Sequence, residues 1–384
     1  MPRRQPAVKT ESIRVLFCTL DYPPSITGGA ERQASLQAEE LVRRGHSVDV
    51  VCPRSSGHAS QVINGVRVHR LPRVDRRPFR TISYLAVLAA FLLLRLGRYD
   101  LVHVHLANAQ ADVAVVAARL LGRASYLKVA AGGPLGELAR FRRVARITRY
   151  YGIRHASLVQ AISDEIRRDL IDAGAAPSRI REIPNGVLLG NRPTANSRLA
   201  MRQRFGISAT AIVVIFAGRL ERDKGVTDLL EAWKAGPPAG AVLAIIGSPG
   251  IKDPVAMDLL PANVEYLGWT PDAQAHIAAA DIFVLPSHAE GMSNALLEAM
   301  AAGVACIATR VGAAETMIRD GEHGLLVDAG DAKALGNALR RLVDSADLRS
   351  ALGAAGRERV GDRYGIKGVV DRIEAAYRSV LPAI

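Results

Sequence analysis

The sequence predicts an α/β protein made of two doubly wound domains, each a parallel sheet covered by helices on both faces. Three observations predict it. The chain has 384 residues, more than one ordinary hydrophobic core serves. Short apolar runs alternate with amphipathic stretches, as is typical of parallel strands joined by helices. This alternation stops near residue 187 and restarts near residue 211.

The first half supplies the strands and helices of one sheet. Its strands are predicted at 13–20, 46–52, 66–71, 100–106 and 125–130, and its helices from Ala30 to about Gly45, at 81–96 and at 109–121. The first strand, IRVLFCTL, is apolar throughout, which indicates burial on both faces. Gly45 is suited to ending the first helix.

The second half repeats the pattern, with strands predicted at 211–218, 241–247, 264–268, 281–286, 305–309 and 324–327. Pro, Gly, Asn and Ser are frequent near the start of 187–205, which predicts a hinge. We therefore expect an N-terminal domain over 1–187, a linker over 188–205 and a C-terminal domain over 206–364. A final amphipathic helix follows over 365–384.

The positive charge lies in the first half of the chain. The net charge is +13, yet residues 1–200 carry 31 Lys and Arg against 15 Asp and Glu, whereas residues 201–384 carry 19 against 22. A basic amphipathic stretch over 138–154 and arginines on both sides of the apolar run 85–94 favour contact with an anionic membrane surface. A solvated charged face and a buried helix are the alternatives for these two segments.

The cysteines indicate a reducing compartment. Cys18, Cys52 and Cys306 lie in or beside apolar runs without metal-ligand spacing, so we expect buried thiols. The first residues lack the apolar stretch of a signal peptide, and the run 85–94 is about half the length that spans a bilayer. We expect a cytoplasmic protein, peripheral on the cytoplasmic face of the membrane.

The stretch HAEGMSNALLEAMAAG, residues 288–303, predicts an anion site with a carboxylate on either side. Ser293 or Asn294 can cap a helix, and the amides ahead of it favour an anion. Gly291 allows a close backbone approach. Because Glu290 and Glu298 would repel phosphate, they suit hydroxyl groups on either side of a diphosphate. A nucleotide sugar has that shape.

A second anion element is GRLERDKG at 218–225, which follows a predicted strand. Arg219 and Lys224 lie close together there, and arginine binds phosphate with two parallel hydrogen bonds. A solvated loop, with these charges paired to Glu221 and Asp223, is the alternative. No D-x-D cluster lies nearby, so we expect no bound metal.

These motifs resemble those of the retaining nucleotide-sugar glycosyltransferases of the GT-B fold, of glycosyltransferase family 4 type. The resemblance extends over most of the chain and rests on GG (28–29), DLVHVH, AISDEI, IPNGV, GRLERDKG, YLGW, EGMSNALLEAMAAG and GLLVD, in this order. It implies two Rossmann-like domains that face each other across a cleft, with the final helix packed back on the first domain.

The resemblance also implies roles for matching residues. Glu298 binds ribose hydroxyls, Glu290 lies beside the transferred sugar, and Arg219 and Lys224 hold the distal phosphates. The other implied donor-binding residues are Gly28, Gly29, Gly218, Leu267, Gly268, Trp269, Gly291, Met292, Ser293, Asn294 and Leu297. No cofactor is expected beyond the donor, a nucleotide sugar such as a UDP- or GDP-sugar. The implied acceptor is a saccharide or a lipid-linked saccharide.

One departure concerns the first domain. Many relatives carry a histidine after the strand that follows the H-x-H strand, whereas this sequence reads ASYLKVAAGGPLGEL. His103 and His105 are the nearest candidates for the acceptor side, with core packing as the alternative, and His288 is a candidate for the cleft wall. Without an evident general base, we expect same-face substitution in which the leaving diphosphate takes the proton.

Three other functions are compatible with parts of the sequence. A sugar-nucleotide epimerase would share the fold. A nucleic-acid-binding protein would share the basic charge, but recognition motifs and stacking aromatics are lacking. A dinucleotide-dependent dehydrogenase would need G-x-G-x-x-G after the first strand, where this chain has TGGAER.

Overall fold

The computed structural model describes residues 12–24, 28–54, 58–76, 79–132, 150–190, 193–204, 208–250, 260–261, 263–270 and 272–382. Within them the chain forms an eight-stranded and a six-stranded sheet, both mainly parallel. The predicted fold class is confirmed. The arginines predicted to make the stretch 138–154 basic, Arg140 to Arg149, lie outside the described residues.

The first sheet has the order β3-β4-β2-β1-β5-β6-β7-β8, with β3 antiparallel. Its strands are β1 (Arg14–Cys18), β2 (Ser47–Pro53), β3 (Ser60–Ile63), β4 (Val66–Leu71), β5 (Leu101–His105), β6 (Ala124–Val129), β7 (Leu158–Ala161) and β8 (Ile180–Glu182). Its helices are α1 (Gly29–Arg43), α2 (Phe79–Arg95), α3 (Ala109–Leu120), α4 (Tyr151–His155) and α5 (Asp164–Asp172). The strand order reverses between β1 and β5, so a crevice opens beyond their carboxyl ends.

The second sheet has the order β11-β10-β9-β12-β13-β14 and reverses between β9 and β12. Its strands are β9 (Ile212–Ala217), β10 (Ala241–Ile246), β11 (Val264–Gly268), β12 (Ile282–Leu285), β13 (Ala305–Thr309) and β14 (Leu325–Val327). Its helices are α6 (Ala195–Arg204), α7 (Val226–Lys234), α8 (Ala273–Ala279), α9 (Asn294–Ala302), α10 (Ala314–Met317), α11 (Ala332–Asp344) and α12 (Ala346–Tyr364).

Helix α6 lies inside the segment predicted as a linker. Arg202 donates to Asp281 Oδ2 at 2.6 Å, and Arg198 donates to the carbonyl of Ala280 at 2.9 Å. These bonds attach α6 to the second domain. The crossing between the domains is therefore short and lies near Val187.

The chain crosses back to the first domain beside that point. The amide of Val187 donates to Tyr364 O and that of Ile366 donates to Val187 O, both at 2.9 Å. The last helix, α13 (Ile366–Arg378), then packs on the first sheet, where Ile373 and Tyr377 are buried. Two adjacent crossings leave few connections to bend when the domains move.

Helix α2 is apolar, and part of its apolar surface is exposed. With the short turn after it, the stretch Phe79–Arg98 has 20 residues and a mean hydropathy of 1.7, long and apolar enough to cross a membrane by length and composition. One stripe, Tyr84, Leu88 and Leu92, is buried in the domain core. A single helix of this kind is weak evidence for a span, because core helices share these properties.

The three cysteines are buried, as predicted, and none is in a disulfide. Burial raises the pKa of the Cys52 thiol to about 12, so this thiol is protonated and unreactive at neutral pH.

Candidate active site

A cavity of about 530 Å³ lies between the two domains, at the carboxyl ends of strands from both sheets. Its first-domain wall comes from the start of helix α1 (29–31) and two loop segments, 106–108 and 130–132, together with Asn185. Its second-domain wall comes from the ends of β9 and β12. Nine of the predicted site residues line it: Gly29, Gly218, Arg219, Lys224, Glu290, Gly291, Met292, Ser293 and Asn294. This is the position where doubly wound domains bind ligands.

The capped start of helix α9 forms one part of the second-domain wall. Ser293 Oγ accepts from the amide of Leu296 at 3.3 Å, so Ser293 is the cap and Asn294 the first helical residue. Gly291 touches the other domain: a Cβ there would lie 2.4 Å from the carbonyl oxygen of Ala130. Only glycine therefore allows the two walls to approach this closely.

Lys224 and Glu290 form an ion pair in the cavity wall. Lys224 Nζ donates to Glu290 Oε1 at 2.8 Å, and Ser287 Oγ donates to the same oxygen at 3.1 Å. Gly225 makes this pairing possible, because it has a φ of 66° and a Cβ would overlap the carbonyl oxygen of Pro286. The two predicted elements, GRLERDKG and EGMSNALLE, thus meet side by side.

Arg219 lies at the cavity with its side chain half exposed. Its Nη1 is 3.2 Å from Glu221 Oε2, and Glu221 is buried. The guanidinium keeps other donors that can bind an anion. Arg219 and Lys224 together give this wall two cations, each with one carboxylate partner.

Glu298 faces the first domain. It is 8 % exposed, and its Oε1 accepts from Arg32 Nε at 2.5 Å; Arg32 also donates to Gln274 Oε1 at 2.9 Å. Burial raises the pKa of the Glu298 carboxyl, and the Arg32 guanidinium opposes that rise. We call these three residues the Arg32 clasp. It was not predicted from the sequence.

A group of amides also joins the domains. Asn294 Nδ2 donates to the carbonyl of Gly29 at 2.9 Å, while Gln33 and Asn185 each donate to Asn294 Oδ1 at 3.1 Å. Gln33 further donates to Gly186 O at 2.7 Å. The sequence signal for Asn185 was the IPNGV motif, whereas nothing distinguished Gln33 from other helix residues.

Several predicted site residues lie elsewhere. Gly28 is the N-cap of α1, behind the wall. Leu297 is 1 % exposed and packs in the hydrophobic core, so its predicted contact with the donor is wrong. Leu267 packs against the same core, and Gly268 and Trp269 follow at the end of β11, outside the cavity wall, with Trp269 63 % exposed.

The histidines do not form an acceptor side. His103 and His105 are fully buried and stacked, with ring centroids 4.3 Å apart, and His103 Nδ1 lies 2.5 Å from the hydroxyl of Tyr377 on α13. Burial lowers the pKa of both imidazoles, which keeps them neutral. Their predicted contact with the acceptor is wrong, and the core alternative is right. His288 pairs instead with Asp228 at 2.8 Å.

The side chains at the cavity are not arranged as a metal site. In the part of the chain that the structure describes, no group of three or more His, Cys, Asp or Glu residues could hold an ion. The second-domain wall brings together the cations Arg219 and Lys224 and the carboxylate of Glu290.

The fold and the cleft define a GT-B glycosyltransferase, and comparison with known proteins agrees. The family model described as "Glycosyl transferase 4-like domain" matches residues 28–186, and the one described as "Glycosyl transferases group 1" matches residues 211–345. The chain belongs to the GT-B glycosyltransferases of family 4 type.

Relatives of known activity match over nearly the whole chain. A D-inositol 3-phosphate glycosyltransferase of Geodermatophilus obscurus is 29 % identical over 98 % of this chain and 90 % of its own. An Escherichia coli UDP-Gal:alpha-D-GlcNAc-diphosphoundecaprenol alpha-1,3-galactosyltransferase is 23 % identical over 92 % and 94 %. The Anabaena protein HepE, solved with UDP and glucose, superposes with a TM-score of 0.79 at 21 % identity, over 96 % and 100 %. The epimerase alternative receives no support.

Proposed function

We propose that the protein transfers a hexose from a nucleoside diphosphate sugar to a saccharide or lipid-linked acceptor, with retention of anomeric configuration and without a metal ion. The observation that carries this proposal is the pairing of Lys224 with Glu290 beside the capped start of α9. A diphosphate at this helix start would meet main-chain amides, Lys224 and Arg219 together.

The donor is expected to extend along the second-domain wall. With its diphosphate at α9, the ribose reaches Glu298 and the hexose lies by Glu290. Glu298 Oε1 is engaged by Arg32, but a carboxylate has further lone pairs that can accept ribose hydroxyls. The E. coli relative is named for UDP-Gal and HepE was solved with UDP, so UDP-hexoses are the first donors to test.

The chemistry follows from the charges. As the bond from the anomeric carbon to the diphosphate breaks, negative charge grows on the leaving oxygen, where Arg219 and Lys224 stabilise it. The acceptor hydroxyl bonds to the same face of the sugar and passes its proton to the leaving phosphate. Glu290 already accepts hydrogen bonds from Lys224 and Ser287. These bonds suit a role in which Glu290 holds the Lys224 ammonium in place better than a role in which it attacks the sugar as a nucleophile.

The acceptor is expected at a membrane surface, and the protein on the cytoplasmic face. Exposed apolar residues follow one side of α2, among them Ile82, Leu93 and Leu94, at 64 %, 52 % and 81 % exposure. Exposed Arg80 and Arg95 lie near its two ends. Apolar insertion beside arginines fits an anionic leaflet.

Vesicle sedimentation tests the membrane contact. Binding to anionic vesicles should exceed binding to neutral ones and fall with salt, and Leu94→Ser should weaken it more than Ser83→Ala on the same helix. Equal binding to both vesicle types would leave the arginines without this role, and equal binding by wild type and Leu94→Ser would leave the apolar side of α2 without it.

A thermal-shift series with UDP-, GDP- and ADP-sugars tests the proposed function. One sugar nucleotide should stabilise the protein, and EDTA should not change that shift. Stabilisation that appears only with Mg²⁺ or Mn²⁺ would contradict the metal-independent site, and no shift with any sugar nucleotide would contradict the proposal.

A further inference from the structure

Glu31 places a carboxylate in the first-domain wall, opposite the donor residues. It is in the first turn of α1, 5 % exposed, and lines the cavity. Its position in α1 is set by the contact of Gly29 with Asn294 across the cleft. No role in the proposed donor site requires it.

Glu31 differs from Glu290 and Glu298, the two glutamates on the second-domain side of the cleft. Glu290 is paired with Lys224 and Glu298 with Arg32, whereas among the described residues no cation lies within ion-pair distance of Glu31. Burial raises the pKa of the Glu31 carboxyl, its own backbone amide opposes the rise, and nearby Asp21 adds to it. A buried carboxylate on a cavity wall has accepting capacity left for a ligand hydroxyl.

The turn beside Glu31 is held under backbone strain. Leu106, at the end of β5, has a φ of 79°, rare for a residue with a branched side chain, and its amide donates to Lys128 O at 3.0 Å. This turn presents Asn108, whose Oδ1 caps α3 by accepting from the amide of Gln110. The Asn108 amide nitrogen can still donate toward the cavity.

We propose that Glu31 and Asn108 form the acceptor subsite: the Glu31 carboxylate accepts a hydrogen bond from an acceptor hydroxyl next to the attacking one, and Asn108 donates to a neighbouring oxygen. The proposal rests on the proposed function, which leaves the acceptor without a binding group. Glu31 positions the acceptor through that neighbouring hydroxyl, and the proton of the attacking hydroxyl passes to the leaving phosphate. The subsite favours a neutral polyol over an acceptor with phosphate beside the reacting hydroxyl, because that charge would face Glu31.

A simpler role for Glu31 is to cap α1. Gly28 has no side chain to do so, and a Cβ on Gly28 would lie 2.6 Å from Glu31 Oε2. Glutamine serves at this helix position as well as glutamate does. Glu31→Gln therefore keeps a cap and removes only the charge.

The test compares Glu31→Gln with Glu39→Gln, which changes a carboxylate of the same helix that accepts from Ser35. The donor is the sugar nucleotide that stabilises the protein most, and octyl glucoside, glucose 6-phosphate and water serve as acceptors. Glu31→Gln should lower kcat/KM for octyl glucoside about 10-fold or more, as expected when one charged hydrogen bond is lost. The donor Kd should stay within about twofold, and the preference for octyl glucoside over glucose 6-phosphate should shrink.

The pH profile gives a readout that a cap would not change. Glu31 binds the acceptor when it is deprotonated, and its pKa is raised. Wild-type turnover should therefore fall as the pH drops through that pKa. The pH profile of Glu31→Gln should lack this acidic decrease. The other charged groups that line the cavity are Arg219, Asp223, Lys224 and Glu290, and Asp21 lies near Glu31; all are unchanged in the variant.

Equal kinetics and pH profiles for Glu31→Gln and Glu39→Gln would overturn the proposal and leave only the cap. A weaker donor Kd in Glu31→Gln would also overturn it, by assigning Glu31 to the donor. Failure of the wild type to bind any sugar nucleotide is a different result, because it would contradict the proposed function itself.

Discussion

The second-domain wall of the cleft is built from two continuous segments at neighbouring strand ends, whereas the first-domain wall comes from the start of α1 and two loop segments that are far apart in the chain. The second-domain wall carries Arg219, Lys224 and Glu290. The first-domain wall consists mainly of small residues and backbone, and Glu31 is its buried charged residue. This difference suggests that donor recognition depends on fixed charges, and acceptor recognition on shape and a few hydrogen bonds.

Removal of Lys224 should have the largest effect and would show whether charge dominates the donor wall. Lys224→Met removes a cation from the leaving group and leaves Glu290 with no ammonium partner. We expect kcat to fall about 10²–10³-fold, the range for loss of one preorganised donor. Lys234→Met, an exposed change on α7, is the control. A loss below tenfold would mean that main-chain amides, rather than this cation, stabilise the leaving diphosphate.

Gly291→Ala tests whether the two walls must touch. The added Cβ would lie 2.4 Å from Ala130 O and push the walls apart. Because small displacements of reacting groups cost about 10²-fold, turnover should fall by about that much. Nucleotide binding, which we propose depends mainly on second-domain residues, should change less than turnover. Gly368→Ala is the control, because a Cβ at Gly368 would have no neighbouring atom within 4 Å. Unchanged turnover in Gly291→Ala would show that the contact with Ala130 is dispensable.

Glu298→Gln should act on binding of the donor. Calorimetry should show nucleotide affinity weakened by about 1–3 kcal/mol, the cost of poorly paired ribose hydroxyls. Glu231→Gln, exposed on α7, should leave affinity unchanged. An unaltered affinity in a folded Glu298→Gln protein would remove Glu298 from the ribose site.

Arg32→Ala should give the smallest effect, and one that depends on pH. The pKa of Glu298 is already raised by burial, and loss of Arg32 raises it further, so the carboxylate protonates at a higher pH. Donor affinity should therefore fall more steeply than in wild type as pH decreases from about 8 to about 5. Arg43→Ala, at the other end of α1, is the control and should show the same pH dependence of donor affinity as the wild type. If Arg32→Ala instead bound the donor more tightly and independently of pH, the Arg32 clasp would compete with the donor.

The fold and the donor wall could be predicted because their signals are local. Apolar strands and the residues just after them, such as Arg219 and Glu290, are adjacent in the sequence. The Arg32 clasp could not be predicted in this way, since Arg32 and Glu298 are 266 positions apart and meet only when both domains are placed. Leu297 was misassigned because the neighbouring Glu298 belongs to the motif, while the helix turns Leu297 into the core.

His103 and His105 show the same dependence on contacts between residues far apart in the sequence. Alternation along β5 correctly put His103 and His105 on one face, but the sequence could not say what covers that face. The cover is α13, whose Tyr377 lies 274 positions after His103. Because α13 packs over these histidines, they lie in the hydrophobic core and not at the surface of an acceptor site.

The central claim is that a nucleotide sugar bound on the donor wall reacts on the face of the sugar that its leaving group vacates. The stereochemistry of the transfer reaction tests this claim most directly. Proton NMR of the first product formed, before the anomers equilibrate, gives the configuration at the anomeric carbon. Retention of the donor's configuration is the predicted result. An inverted product would contradict same-face substitution and the roles assigned to Arg219, Lys224 and Glu290.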